Sequence, residues 1–300
     1  MQTFEAFPVD AVRPAIPFFT WTSGSWNAGA GGDWVVRANP TVTGEKSLSF
    51  LGQAGGLRGV NIVFNNEGGK ELTFDYYAAS LAEIAANEAV ANGEQSAAWN
   101  NTSRYRGGVS ILDNVGVGSS AQWNANAPEW PNAYITFFFE AGNPEFPVGS
   151  EGAGPAISSE LIPAKKSMLW YILGNGKNED NYFGNVNQWT QGAFDAEKPD
   201  QRPVVRVNTG VEDVEGKWYT FKITIDPTGK TVAAVVSLKG GADVFTLAPT
   251  AWAESTIRDG TVYSGEIRQL RNITFRRNLM GENNGPNINT LTYMDNIELK

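Results

Sequence analysis

The sequence predicts an all-β chain built as an antiparallel sandwich, and three observations carry that prediction. The first is the stretch from Gly216 to Leu247. Tyr219, Phe221, Ile223 and Ile225 recur at period two, with Trp218, Thr220, Lys222 and Thr224 between them, the pattern of a strand with one buried face. Second, the turns around this strand are explicit. Pro227 presets a backbone turn and Gly229 tolerates positive φ, so Asp226 to Lys230 reverses the chain, and Gly240-Gly241 reverses it again before Asp243-Val-Phe-Thr-Leu247. Three antiparallel strands with one apolar face need a second sheet to cover it. Third, glycine is abundant, at 33 residues, while helical periodicity is scarce, which favours many short strands joined by turns.

The remaining elements follow in order. Residues 1–46 carry Pro8, Pro14, Pro17 and a glycine-rich run from Gly29 to Gly32, and read as an extended edge strand followed by a long loop. Ser47–Leu51, Gly59–Phe64 and Glu71–Tyr77 read as strands, with Glu67 to Lys70 as a turn. One helix is predicted as an insertion at about 80–93: Ser80 and Glu83 form a capping-box pattern, Leu81, Ile84, Ala85 and Ala89 give an apolar stripe, and Gly93 suits the stop. Strands resume at Gly108–Leu112, Ala133–Phe139, Ser167–Leu173 and Pro203–Val207. Long polar loops lie at about 141–164 and 174–202, and loops of that length inside a domain usually carry function or an interface. Thr261–Tyr263, a long strand from Glu266 to Arg276, and a final strand after the polar loop Gly281–Asn289 complete the reading. The expected organisation is a single β-sandwich domain over 1–300.

Two sets of residues carry a resemblance. The Trp218-Tyr-x-Phe-x-Ile-x-Ile-Asp226 strand with its tight turn is similar to the late strands of the concanavalin A-like sandwich. Phe4-Glu-Ala-Phe7 and Tyr293-Met-Asp-Asn-Ile-Glu-Leu299 resemble the paired terminal strands of such jelly rolls and of carbohydrate-binding modules. The resemblance implies a jelly-roll β-sandwich. It also implies a structural Ca²⁺ shared by Glu5 of the first strand and Asp295 of the last, with Glu45 as a third ligand. Calcium takes six to eight oxygens, so the alternative for these residues is plain edge-strand charge.

Composition excludes several classes of chemistry. The chain has no cysteine and no histidine, so disulfides, thiol chemistry, Ser-His-Asp and Cys-His catalysis are out, and the commonest zinc ligands are missing. Its net charge of -9, with dispersed acids, does not suit nucleic acid, whose binding needs a basic patch. No apolar run reaches the roughly 20 residues of a membrane span. The chain opens at Met1 with Gln-Thr-Phe-Glu and without a basic-then-apolar leader. This fits either a native start in a packed assembly or a removed signal.

The ten tryptophans supply the candidate site. Trp99, Trp123, Trp130 and Trp189 stand in polar stretches, with Tyr182, Asn187 and Gln188 nearby. Flat aromatic rings stack on the C–H faces of sugars while amides bond the hydroxyls. The same residues can pack loops or anchor a subunit contact. Carboxylates point to no enzyme: Glu71 and Asp75 are separated along one strand by too much rise for a glycosidase pair, and with Glu140 and Glu266 they read as solvated. Asp180-Asn-Tyr-Phe-Gly-Asn-Val-Asn-Gln188 resembles the Tyr-Phe-Lys-Ala-Gly-x-Tyr-x-Gln strand of jelly-roll alginate lyases. Here Gly184 replaces the lysine, and the family's His- and Arg-bearing strands have no counterpart.

The leading expectation is a non-catalytic, lectin-like surface module that binds glycan or neighbouring subunits, outside the cell or on a virion as a capsid decoration or fibre protein. A secreted polysaccharide lyase and a purely structural assembly protein are the alternatives.

Overall fold

The computed structural model describes residues 1–17, 19–23, 34–52, 59–65, 68–80, 83, 105–112, 133–141, 167–173, 207–228, 230–251, 272–276 and 290–300. They contain the strands β1 (Phe19–Ser23), β2 (Trp34–Ala38), β3 (Lys46–Gly52), β4 (Gly59–Phe64), β5 (Glu71–Ala78), β6 (Tyr105–Leu112) and β7 (Ala133–Ala141). The second half supplies β8 (Ser167–Leu173), β9 (Val207–Glu212), β10 (Trp218–Asp226), β11 (Thr231–Leu238), β12 (Asp243–Ala251), β13 (Asn272–Arg276) and β14 (Thr290–Leu299). They form two seven-stranded sheets, in the orders β1-β4-β13-β6-β7-β8-β9 and β12-β11-β10-β5-β14-β3-β2. Every ladder is antiparallel. Chain-distant strands sit side by side, as β4 and β13 or β5 and β14 do, in the manner of a jelly-roll sandwich.

One core cluster joins the two sheets. Phe221 of β10 stacks on Phe74 of β5 at 5.2 Å between ring centroids. Across the sandwich it meets Phe137 of β7 edge-on at 5.0 Å. Tyr76 meets Phe139 at 4.9 Å, and Tyr171 meets Phe245 at 5.3 Å. The alternation predicted for β10 holds: Tyr219, Phe221, Ile223 and Ile225 are all buried. Its other face departs from the pattern, because Trp218 is also buried.

Several expectations need correction. Residues 1–46 are not one edge strand and a loop, since they contribute β1 to one sheet and β2 to the other. Phe4–Phe7 is not a strand paired with β14. It is a turn closed by Phe7 N–H donating to the Phe4 carbonyl at 3.1 Å, with the Phe4 ring fully buried in the core. Pro8 follows and has no N–H for a ladder. The neighbours of β14 are β3 and β5. The start of the chain touches β14 through the bridge between Gln2 and Ile297 and through the Met1 ammonium, 3.4 Å from Glu298 Oε1. At the β10–β11 turn, the described residue with positive φ is Lys230, at 51°; Gly229 lies outside the described residues. β12 runs on to Ala251, past the predicted end at Leu247. The strand predicted at Pro203–Val207 is described only as β9, from Val207 to Glu212.

The capping box does form. Glu83 accepts from both the backbone N–H and the hydroxyl of Ser80 at 2.7 Å, and Glu83 N–H donates to Ser80 Oγ at 3.3 Å. The rest of the predicted helix, the strand at Thr261–Tyr263 and the first part of the Glu266–Arg276 strand lie outside the described residues. Among the described residues, no helix is long and apolar enough to cross a membrane.

Candidate functional site

The predicted aromatic and amide residues Trp99, Trp123, Trp130, Tyr182, Asn187, Gln188 and Trp189 lie outside the described residues. The strands that flank them are described, and their register sets where each segment begins and ends. β6 stops at Leu112, which pairs with Ala133 at the start of β7. β8 stops at Leu173, which pairs with Ile135 of the same β7. β9 begins at Val207, paired with Tyr171. The segments 113–132 and 174–206 therefore leave and re-enter the first sheet at one end, from four consecutive strands. The first holds Trp123 and Trp130; the second holds Tyr182, Asn187, Gln188 and Trp189. A third segment, 252–271, joins β13 at Asn272, which pairs with Leu112 at this same end. It carries Trp252 and Tyr263, which the sequence reading did not single out. Trp99 is separated from the others in this respect: its segment joins β6 at Tyr105, the opposite end of the sheet, where Tyr105 pairs with Glu140.

On the second sheet, the outer face carries a cluster that sequence reading missed. In strand β5, Leu72, Phe74 and Tyr76 enter the core, so Asp75 and Tyr77 stand on the other side. Register lines up Trp218, Tyr77, Tyr293 and Ser49 across β10, β5, β14 and β3. The next row places Thr220, Asp75 and Asp295 side by side. The rings touch: Tyr77 lies 5.4 Å from Trp218 and 5.8 Å from Tyr293. Tyr77 donates to Glu83 Oε1 at 2.6 Å, tying the start of the predicted helix to the sheet. Burial, then the neighbouring Glu83 carboxylate, raises the Tyr77 hydroxyl well above its usual value, so it stays a neutral donor.

Asp75 and Asp295 are thus a close carboxylate pair from strands distant in sequence. The expectation of a solvated Asp75 is overturned, since it is 4% exposed and Asp295 is 5% exposed. Their surroundings differ. Asp75 accepts from the Thr220 hydroxyl at 2.6 Å and from the Asn296 side-chain amide at 2.7 Å, and it faces the Lys239 ammonium at 3.0 Å. Asp295 has Lys239 only at 3.9 Å, and its Oδ1 is buried with no hydrogen-bond partner. Burial is the main cause that pushes the Asp295 carboxyl up from 3.8 to about 6; the Asn296 backbone N–H and Lys239 pull it down, and Asp75 and Glu5 raise it further. Lys239 also sits 4.9 Å above the Trp218 ring, an arrangement that favours a cation. Asn296 reaches Asp75 because β14 bulges between Asp295 and Glu298 and puts Asn296 at φ 52°.

The calcium ligands expected by resemblance do not assemble. Glu5 uses Oε1 to accept from Lys46 N–H at 2.8 Å, while Lys46 Nζ donates to the carbonyls of Glu5 and Phe7. Glu45 is exposed. Among the described residues, no group of three or more acidic side chains is placed to hold a metal ion, and a cation already stands between Asp75 and Asp295. Among the described residues, Glu5, Glu45 and Asp295 do not come together as a calcium donor set.

No protein-family model matches the chain, and no curated protein matches it. Among solved structures, it is similar to the GH131 β-glucanase catalytic domain from Podospora anserina, at 10% identity and a TM-score of 0.41, covering 95% of this chain and 85% of that one. It is similar to the catalytic domain of the glycoside hydrolase family 131 protein from Coprinopsis cinerea, at 10% identity and a TM-score of 0.39, with 99% and 92% covered. It is also similar to lectin II from Ulex europaeus, at 7% identity and a TM-score of 0.37, with 94% of each chain covered.

Proposed function

We propose that the protein is a non-catalytic, lectin-like module whose working surface is the end of the first sheet where segments 113–132 and 174–206 leave and return. The observation that carries this reading is the register of β7 between β6 and β8, which roots both segments on neighbouring strands at one end. Their content supplies the chemistry. Trp123, Trp130 and Trp189 offer flat apolar faces for sugar C–H groups, and Asn187 and Gln188 offer amides that both donate and accept to hydroxyls. The net charge of -9 suits a neutral or basic glycan better than a polyanion. An extracellular or virion-surface setting belongs to the same reading, with capsid decoration as its narrowest form.

A glycan array with wild type, Trp189→Ala and Trp123→Ala tests it, alongside a sizing measurement of each. Binding to a defined set of glycans, weakened at least tenfold by either substitution with the size unchanged, is the expected result. A change of oligomeric state in the variants with no glycan signal in wild type would transfer the surface to a subunit interface. If neither glycan binding nor size responds, these tryptophans only pack their own segments.

A further inference from the structure

We propose that the buried pair Asp75–Asp295 on the outer face of the second sheet is a proton site, balanced by Lys239 rather than by a metal ion, and that it makes the attachment of the last strand pH-sensitive. The proposal is independent of the glycan reading.

The argument starts from geometry. Asp75 of β5 and Asp295 of β14 are register partners on adjacent strands, and both are nearly inaccessible. Two anions so placed need more than one positive charge, because desolvation removes the screening of water. Among the described residues, one cation lies within ion-pair distance of the pair: Lys239, from the turn between β11 and β12. It lies closer to Asp75 than to Asp295. The other donors also go to Asp75, namely Thr220 from β10 and the side chain of Asn296 from the bulge. The charged group contributed by the N-terminal segment is Glu5, an acid that adds to the negative charge facing Asp295. Asp295 keeps an orphaned Oδ1. A proton on Asp295 removes the surplus negative charge without any further partner, and burial raises its carboxyl in that direction, to about 6.

The sign follows from linkage. Between about 4 and 6 the unfolded chain releases this proton and the folded chain retains it, so the folded state binds more protons. The contribution of Asp295 to stability is therefore fully present at low pH. It is lost as pH rises through about 6, where a buried carboxylate with too few donors replaces a neutral acid. The strand that carries it, β14, also holds the bridge to Gln2 at Ile297, so the start and end of the chain loosen together.

The test is thermal unfolding of the full chain from pH 4 to 8, for wild type and Asp295→Asn, with and without millimolar calcium. A ¹³C NMR titration of the Asp295 carboxyl accompanies it. We expect Asp295→Asn to raise Tm above pH 6 by roughly 2 °C or more and to flatten the profile relative to wild type. The wild-type carboxyl should titrate near 6, with calcium leaving that midpoint in place. Parallel Tm profiles for the two proteins, or a midpoint below about 4.5, would overturn the proton site. A midpoint driven downward by calcium, with a rise in Tm, would replace it with a cation site. Should Asp295→Asn fail to fold, the wild-type titration with and without calcium decides the matter alone.

Discussion

Thr220, Phe221 and Lys222 are consecutive residues of one strand, and they separate the two faces of the second sheet. Inward, Phe221 is ringed by Phe74, Tyr76, Phe137 and Phe139. Outward, Thr220 bonds a buried carboxylate and Lys222 meets Glu71 at 2.9 Å with both side chains partly in water. The inner face gains from area removed from water, which is indifferent to direction. The outer face near Asp75 is buried as well, yet what holds it is directional. Each polar atom needs a partner there, and Asp295 Oδ1, Trp218 Nε1 and Ser47 Oγ have none. A buried group without a partner costs about 1–3 kcal/mol. Burial alone therefore says little about stability: Phe221 and the Asp75–Asp295 pair are both buried and respond to different substitutions.

Those three neighbours give the sharpest test of the contrast. Phe221→Ala should destabilise the fold by about 3–5 kcal/mol, read from urea unfolding. A loss below about 1 kcal/mol would mean the inner face tolerates a void that large, and the contrast would collapse. Thr220→Val keeps the volume and removes the hydroxyl given to Asp75. The expected loss is about 1–2 kcal/mol, and no loss would mean that Lys239 and Asn296 satisfy Asp75 without it. Lys222→Ala removes a partner of a half-exposed ion pair and should change stability by less than about 1 kcal/mol, an effect that shrinks as salt is added. A larger loss would show that the outer face is held by charge along its whole length rather than only around Asp75.

The legibility of this chain follows the same division. The β10–β11–β12 meander was readable because its period-two alternation and its turn residues are local signals; the structure keeps the alternation on the core face of β10 and places Gly240 at φ 70°. Asp75 was misread as solvated for an equally local reason. It sits at an outward position between core residues, where a carboxylate ordinarily meets water. Nothing within β5 reveals that Asp295, 220 positions away in sequence, will stand beside it under an aromatic row. Phe4 was read as part of a strand because Phe4-Glu-Ala-Phe7 resembles the terminal strand of jelly rolls. Its burial as a turn depends on which strands β14 pairs with, and those are β3 and β5.

For the candidate site, residue types came from sequence and placement came from register. Tryptophan beside asparagine and glutamine marked the stretches at about 121–132 and 174–202 as chemically equipped. Only the pairing of β7 with both β6 and β8 rooted the two segments at one end of one sheet, while the segment before β6 joins it at the other, at Tyr105. The segment 252–271 joins β13 at Asn272, at the same end, a relation that no spacing along the chain expresses.

By itself, then, the sequence determined that the chain is all-β, where its central strands run, which side of β10 is buried, and that cysteine and histidine chemistry are absent. Those properties depend on composition and on the two-residue period of a pleated strand, both of which are written along the chain. Tertiary structure decided that β14 lies between β3 and β5, that two distant aspartates share one lysine, and that two tryptophan-bearing segments share an end. These depend on which strands become neighbours. Backbone ladders pair any two strands equally well, so that choice is made by the fit of whole faces across the core.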